Sequence, residues 1–79
     1  MPYTQDMLEE MNILLHYTLN TTQQGIKVHH SAAPEVIAAT RRLHDKGLIT
    51  REDGGYLTNL GLTTAEHIQA VHAILKSDK

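Results

Sequence analysis

Three features of the chain predict a small α+β domain with three main helices, a short strand and a β-hairpin. A run with helical apolar spacing ends at Gly47, a residue type that takes a left-handed cap without steric cost. Two short β-prone runs then flank a Gly-Gly pair, which is typical of a tight hairpin turn. Thr58 follows as a candidate cap for another helix. We interpret residues 1–79 as a single domain.

The first helix is predicted over residues 4 to about 19. Thr4 is a candidate N-cap, and the acidic residues near the start suit the positive end of the helix dipole. Helical spacing places an apolar stripe on one face, made of Leu8, Met11, Leu15 and Leu19 and widened by Met7 and Leu14. A polar stretch then breaks the pattern. Residues 25–29 alternate apolar and polar side chains, which predicts a short strand with Ile26 and Val28 turned inward.

The second helix is predicted from the segment 31–34 to about Lys46. Ser31 is a good candidate for its N-cap, and Pro34 is tolerated only within the first helical turn. One face of this helix carries Val36, Ile37, Thr40 and Leu43.

The hairpin is predicted from two short runs that are rich in β-branched and aromatic residues. Residues 48–51 and 56–58 are its strands, and Asp53, Gly54 and Gly55 are its turn. Its place between the second and third helices is that of the β-hairpin called the wing in winged-helix domains.

The third helix has two candidate starts. Thr58 can cap a helix that begins at Asn59, whereas residues 63–66 match a capping box for a start at Thr64. The helix is predicted to end near Lys76. Its inner stripe is predicted to be Ala65, Ile68, Val71 and Leu75, and a second apolar flank, available to the core or to a partner, is made of Ala70 and Ile74.

The order helix, strand, helix, two-strand wing, helix predicts a small winged-helix-like domain. A full winged helix has two helices between its first strand and its wing, but residues 30–47 have room for one regular helix. Either residues 21–24 supply a short first helix of the pair, or the motif is abbreviated.

Four segments resemble a family of bacterial proteins of about this length, namely residues 25–30 (GIKVHH), 36–39 (VIAA), 42–49 (RLHDKGLI) and 53–58 (DGGYLT). That family is uncharacterised, and its members sometimes carry a DNA-binding label. The pattern KGLI followed by YLT is also similar to the segment that joins the recognition helix to the wing in winged-helix transcription regulators. The resemblance implies a winged-helix-like fold, which serves DNA binding in some proteins and protein–protein contacts in others.

The charge distribution directs attention to the middle of the chain. The whole chain carries a net charge of −2, which argues against a general nucleic-acid coat protein. Residues 27–51, by contrast, hold five basic and two acidic residues, a net charge of +3. Because Lys and Arg neutralise phosphates, this segment is predicted to face DNA. The candidate contacts are Lys27, His29, His30, Arg41, Arg42, Lys46 and Arg51.

These features lead us to expect a DNA-binding, transcription-associated protein of the bacterial cytoplasm. The second helix would enter or lie along a groove of the duplex with Arg41, Arg42 and Lys46, while Lys27 and Arg51 anchor the flanking backbone. We expect a homodimer, because so short a chain buries little of its own surface. The alternative is a protein–protein interaction module (adaptor) on the same fold that does not bind nucleic acid.

Other functional classes find no support in the residues. The chain has no cysteine, which excludes disulfides, thiolate zinc sites and thiol nucleophiles. The six histidines lack the spacing of three or four that places two ligands on one helix face, so we expect neither a metal nor a cofactor. We see no catalytic triad and no phosphate loop, and therefore expect neither enzyme activity nor a small-molecule ligand. No signal peptide or membrane-spanning apolar run is present.

Overall fold

A computed structural model describes residues 2–17, 25–29 and 31–77 of the chain. Its elements are α1 (Gln5–Leu14), β1 (Ile26–Lys27), α2 (Pro34–Asp45), β2 (Ile49–Arg51), β3 (Gly54–Leu57) and α3 (Asn59–Leu75). The three strands form an antiparallel sheet in the order β1-β3-β2. The predicted α+β class is confirmed, and three helices with a short strand and a hairpin are compatible with a small winged-helix-like domain.

Helix α1 begins as predicted but ends earlier. The Thr4 hydroxyl accepts a hydrogen bond from the amide of Met7 at 3.1 Å, which confirms the N-cap. The helix ends at Leu14 rather than near residue 19, and residues 15–17 form a turn. The predicted contribution of Leu19 lies outside the described residues, as does the short helix considered at residues 21–24.

The buried face of α1 is rotated from the predicted apolar stripe. It consists of Glu10, Ile13 and Leu14 and continues to Tyr17 beyond the helix, whereas the predicted Leu8, Met11 and Leu15 are half-buried and Met7 is exposed. Leu14, which widened the predicted stripe, is fully buried, but apolar spacing alone missed Glu10 because it assigns no carboxylate to a buried face. The acid is accommodated because cations on α2 lie opposite it.

Strand β1 is shorter than residues 25–29, but the predicted alternation is correct. Ile26 and Val28 are half-buried, whereas Lys27 and His29 are exposed. The Val28 amide also donates to the Asp53 carbonyl at 2.7 Å, which holds the end of β1 beside the hairpin turn. This arrangement directs the side chains of Lys27 and His29 to the surface.

Helix α2 starts without the predicted Ser31 cap. Its N-cap is Ala33, which makes no side-chain capping hydrogen bond, and Pro34 is at the start of the helix. Proline presets a helical φ angle and has no amide proton to satisfy, so the helix can begin without a polar cap. Of the predicted inner face, Thr40 and Leu43 are fully buried and Val36 and Ile37 are half-buried.

The hairpin turn begins one residue earlier than predicted. Glu52 and Asp53 form the turn, and Gly54 and Gly55 belong to β3 with φ angles of +125° and +76°. The register shifts between β2 and β3, which marks a bulge that positive-φ glycines accommodate. A side chain at Gly54 would overlap the Ile26 carbonyl, so this glycine also lets β1 lie close to β3.

Helix α3 begins at Asn59, which decides between the two predicted starts. The Thr58 hydroxyl accepts from the Gly61 amide at 3.0 Å and donates to the Gly47 carbonyl at 2.6 Å. The capping-box start at Thr64 is therefore wrong, because Thr64 lies inside the helix.

The predicted inner stripe of α3 holds only in its first half. Ala65 is buried and Ile68 is half-buried, but Val71 and Leu75 are 54% and 79% exposed. The Gln69 side chain donates to the backbone carbonyls of Leu14 and Tyr17, at and just beyond the end of α1. The helical residues that follow Gln69 are exposed. The prediction failed for the second half because residues 70–75 lie beyond the part of α3 that packs on the core.

The core lies where α1, α2, the sheet and the first half of α3 meet. Its fully buried apolar members are Ile13, Leu14, Tyr17, Ala39, Leu43, Ile49 and Ala65. Burial raises the pKa of Tyr17 to about 12. None of the described helices is long and apolar enough to cross a membrane.

Candidate functional site

The basic residues predicted to face DNA divide into two groups. Arg42 and Lys46 lie on the side of α2 that meets α1, whereas Lys27, Arg41 and Arg51 line an open groove. Arg41 and Arg42 are adjacent in sequence, but successive residues point about 100° apart around a helix, which separates the two groups.

Glu10 is the centre of the first group. Only 6% of this residue is exposed, and both of its carboxylate oxygens are paired with cations from α2. Arg42 donates from Nε to Oε2 at 2.7 Å, and Lys46 donates from Nζ to Oε1. More distant carboxylates add to the attraction, because a terminal nitrogen of Arg42 lies 3.7 Å from Glu9 and 3.8 Å from Asp6.

The pKa values in this cluster reflect a balance of burial and pairing. Burial by itself raises the pKa of Glu10, but the hydrogen bonds and charges of Lys46 and Arg42 outweigh burial and hold the pKa below its ordinary value. The hydrogen bond to Glu10 in turn raises the pKa of Arg42. Glu10 and Arg42 are therefore charged at neutral pH, and the two cations have an anionic partner within the chain.

The second group lines a groove between β1, α2 and the hairpin turn. Its walls are formed by Lys27, Val28, His29, Ile37, Thr40, Arg41, Arg51, Glu52 and Asp53. The first three belong to β1 and the two residues that follow it, α2 supplies the next three, and the hairpin supplies the last three. The fold thus brings together four of the seven predicted contacts, namely Lys27, His29, Arg41 and Arg51.

The cations of the groove differ from those at Glu10, which are paired with its carboxylate. Among the residues that the structure describes, none makes a hydrogen bond or ion pair with the side-chain nitrogens of Lys27, Arg41 or Arg51. Glu52 and Asp53 lie in the same groove at the hairpin turn. Three bases and two acids leave the groove with a formal charge of +1 when His29 is neutral.

The histidines do not form a common site in the described part of the chain. His29 lines the groove and His44 faces Asp45 at 3.9 Å, while His30 lies outside the described residues. No group of three His, Asp or Glu side chains within residues 2–17, 25–29 and 31–77 is placed to hold a metal ion.

Glu10 is the structurally important residue that the sequence reasoning missed. A signal for it exists, because Glu10, Ile13, Leu14 and Tyr17 follow the spacing of one helical face. Two bases four residues apart on α2, Arg42 and Lys46, form a matching pair on one face of that helix. Only their juxtaposition in space shows that the two signals belong together.

The chain matches the family model described as "Family of unknown function (DUF5669)" over residues 1–76. No curated protein and no solved structure gave a significant match.

Proposed function

The chain belongs to this family of unknown function, DUF5669, and we propose that it is a small DNA-binding, transcription-associated protein of the bacterial cytoplasm. The observation that carries the proposal is the groove in which Lys27, Arg41 and Arg51 meet without an anionic partner among the described residues. Unpaired cations on a concave surface attract the phosphates of a nucleic-acid backbone, and their counterions are released on binding.

In this proposal the two groups of bases have different tasks. Lys27, Arg41 and Arg51 contact phosphates, and His29 adds to them when it is protonated. Arg42 and Lys46 hold α2 against α1 through Glu10, so they position the groove wall and make no phosphate contact. This assignment narrows the interface predicted from sequence, in which all the bases of α2 faced DNA.

The net charge of the groove determines how strongly and how specifically we expect it to bind DNA. Phosphate contacts position a protein on DNA without reading its sequence, and Arg41 is the one unpaired base on the described part of α2. With a groove charge of only +1, binding is expected to be weak, strongly salt-dependent and largely independent of sequence.

The test is a titration of isotopically labelled protein with a mixed-sequence DNA duplex at low salt and pH near 7, followed by backbone amide shifts. Shifts are expected on the residues of the groove and are expected to disappear with added salt. Arg41→Gln should weaken binding and reduce the slope of log affinity against log salt by about 1. Glu52→Gln should strengthen binding, because it removes a negative charge from the groove.

The matched control is Lys76→Gln, which removes the same charge as Arg41→Gln from the exposed end of α3. It should bind duplex as the parent does. Equal losses in Arg41→Gln and Lys76→Gln would show attraction by net charge alone and would remove the groove from the proposal. An absence of shifts at high duplex concentration would contradict DNA binding itself.

The second candidate function is the protein–protein adaptor. The observation in its favour is the exposed end of α3, where Val71, Ile74 and Leu75 are 54%, 72% and 79% exposed. An adaptor of this kind would bind its partner with little dependence on salt. It would also tolerate Arg41→Gln and lose binding with Ile74→Asp.

A further inference from the structure

Helix α3 has a second apolar face that the fold leaves uncovered. Leu60 is 57% exposed, and Val71, Ile74 and Leu75 are also exposed over more than half of their surface. On the opposite side of the same helix, Gly61, Ala65 and Ile68 pack on the core. The helix is therefore apolar on two sides, and the monomer uses only one of them.

The exposed face has the period of a coiled-coil seam. Leu60, Thr64, His67, Val71 and Ile74 are separated by alternating steps of four and three residues, and we call these five residues the α3 seam. Such a spacing keeps side chains in line along one side of a helix and lets them insert into a facing helix.

The second half of α3 lacks the support that the first half receives. Residues 70–76, which follow Gln69, are all exposed, and residues 70–75 extend the helix by about 9 Å beyond the hydrogen bond that Gln69 donates to Tyr17. Short helices are marginal in water without tertiary packing. A regular helix at this position is therefore favoured if another surface covers the seam.

The chemistry of the seam points to a second copy of this chain as its partner. In coiled coils, charged residues at the positions flanking the seam determine which partner is accepted. Here those positions hold Thr63, Ala70 and Ser77 on one side and Leu75 on the other, and none of them is charged, while Gly61 and Ile68 at the remaining positions pack on the core. While His67 is neutral, such a seam meets no like-charge repulsion from its own copy.

The two ends of the α3 seam are equally distant in sequence from its middle residue. Leu60 and Ile74 are each seven residues from His67, so an antiparallel pair centred there brings Leu60 of one chain close to the second copy's Ile74. Opposed helix dipoles favour the same orientation. In this arrangement the unsupported end of each α3 lies along the supported half of the other.

We propose that a second copy of this chain covers the α3 seam, with the two α3 helices packed antiparallel about a two-fold axis near His67. A helix of 17 residues offers a strip about 25 Å long, which makes an interface at the small end of those seen in specific complexes. For an interface of this size we expect a dimer that forms at about micromolar or higher concentration and dissociates on dilution.

The proposal is tested by measuring the molecular mass of the protein in solution by sedimentation equilibrium over a range of concentrations. The parent chain should move from 8.8 kDa toward twice that mass as concentration rises. Ile74→Asp should remain a monomer. Ala73→Asp is the matched control, because it adds the same charge one residue away on the other side of the helix, and it should dimerise like the parent.

The orientation is tested by cross-linking, which the natural absence of cysteine makes unambiguous. Leu60→Cys and Ile74→Cys proteins are treated with a short bifunctional thiol reagent, separately and as a mixture. Antiparallel packing gives cross-linked dimers only in the mixture, because like positions then lie about 21 Å apart. Circular dichroism of each variant checks that the fold is retained.

Three outcomes would overturn the proposal. A parent chain that stays monomeric at about 1 mM has no dimer of useful affinity. Equal effects of Ile74→Asp and Ala73→Asp would place the contact elsewhere, and cross-linking of Ile74→Cys alone would contradict the antiparallel orientation. None of these results depends on whether the groove binds DNA, so the two proposals fail independently.

Discussion

At the scale of single residues, Glu10 lies on the buried face of α1 and accepts hydrogen bonds from two cations of α2. Removing an ionised carboxylate from water costs several kcal/mol, and the cost is offset only when both oxygens are well paired. Arg42 and Lys46 meet that condition, one at each oxygen. Because Arg42 and Lys46 are paired with Glu10, these two predicted phosphate contacts add little to the positive charge that a ligand would meet.

Glu10→Gln is expected to make the stability of the protein less sensitive to acid. The pKa of Glu10 lies below its ordinary value of 4.5 in the folded protein, so its contribution is complete above that pH and is lost as pH falls through the folded value. At pH 7 the variant should be less stable than the parent by about 1–2 kcal/mol. The difference should shrink as the pH is lowered below 4.5.

Urea unfolding at several pH values measures this difference. Glu9→Gln is the matched control, since Glu9 lies 3.7 Å from Arg42 and is not the acceptor of its short hydrogen bond. That variant should lose less stability at pH 7. A constant gap between parent and Glu10→Gln over the whole range would show that the carboxylate is not ionised in a stabilising pair.

At the scale of elements, the junction between β2 and α3 depends on close approach of two backbones. The Thr58 side chain joins the first turn of α3 to Gly47, and the Thr58 amide donates to the Leu48 carbonyl at 3.0 Å. Gly61 lies directly against Leu48, where a methyl group would overlap the carbonyl oxygen. This contact fixes where α3 begins and which of its faces meets the core.

Gly61→Ala is expected to destabilise the protein by about 1–3 kcal/mol, because α3 must shift away from Leu48 to make room. Helix propensity alone gives the opposite sign, since alanine in place of glycine within a helix is favourable by about 1 kcal/mol. Thermal unfolding of the variant therefore distinguishes the two effects. Thr63→Ala, at an exposed site in the same helix, serves as the control and should change stability little.

At the scale of the whole molecule, a small aliphatic core supports a helix that is longer than the core itself. The first half of α3 is held by Ala65, Ile68 and Gln69, and its second half extends beyond them. The proposed two-fold pairing of the α3 seam would bury this extension. It would also place two copies of the basic groove in one assembly, which increases the attraction for a DNA backbone.

If folding and pairing are linked in this way, the midpoint of thermal unfolding should rise with protein concentration. Each tenfold increase in concentration favours the dimer by mass action, whereas a monomer unfolds at one temperature throughout. Scanning calorimetry at several concentrations gives the measurement. Ile74→Asp should abolish the dependence, Ala73→Asp should keep it, and a midpoint independent of concentration in the parent would contradict the linkage.

Local signals in the sequence were sufficient to predict most elements of the fold. Thr4 and Thr58 cap their helices as predicted, Gly47 has the positive φ angle expected after α2, and the hairpin lies between α2 and α3. Each of these features depends on a few neighbouring residues, whose steric and hydrogen-bonding preferences act over short distances. The four basic residues that line the groove were likewise among the predicted candidates, because basic residues are recognisable by type.

Only the tertiary structure decided which basic residues remain without an acidic partner among the described residues and which helix faces are buried. The sequence contains Glu10, Arg42 and Lys46, but more than 30 residues separate the acid from the bases, and only the packing of α1 on α2 joins them. The exposed end of α3 lies beyond the part of the helix that packs on the core, which no pattern within α3 indicates. By itself the sequence determined the helices, the strands and the supply of charge, since these arise from neighbouring residues, whereas burial and ion pairing depend on segments that meet only in the folded chain.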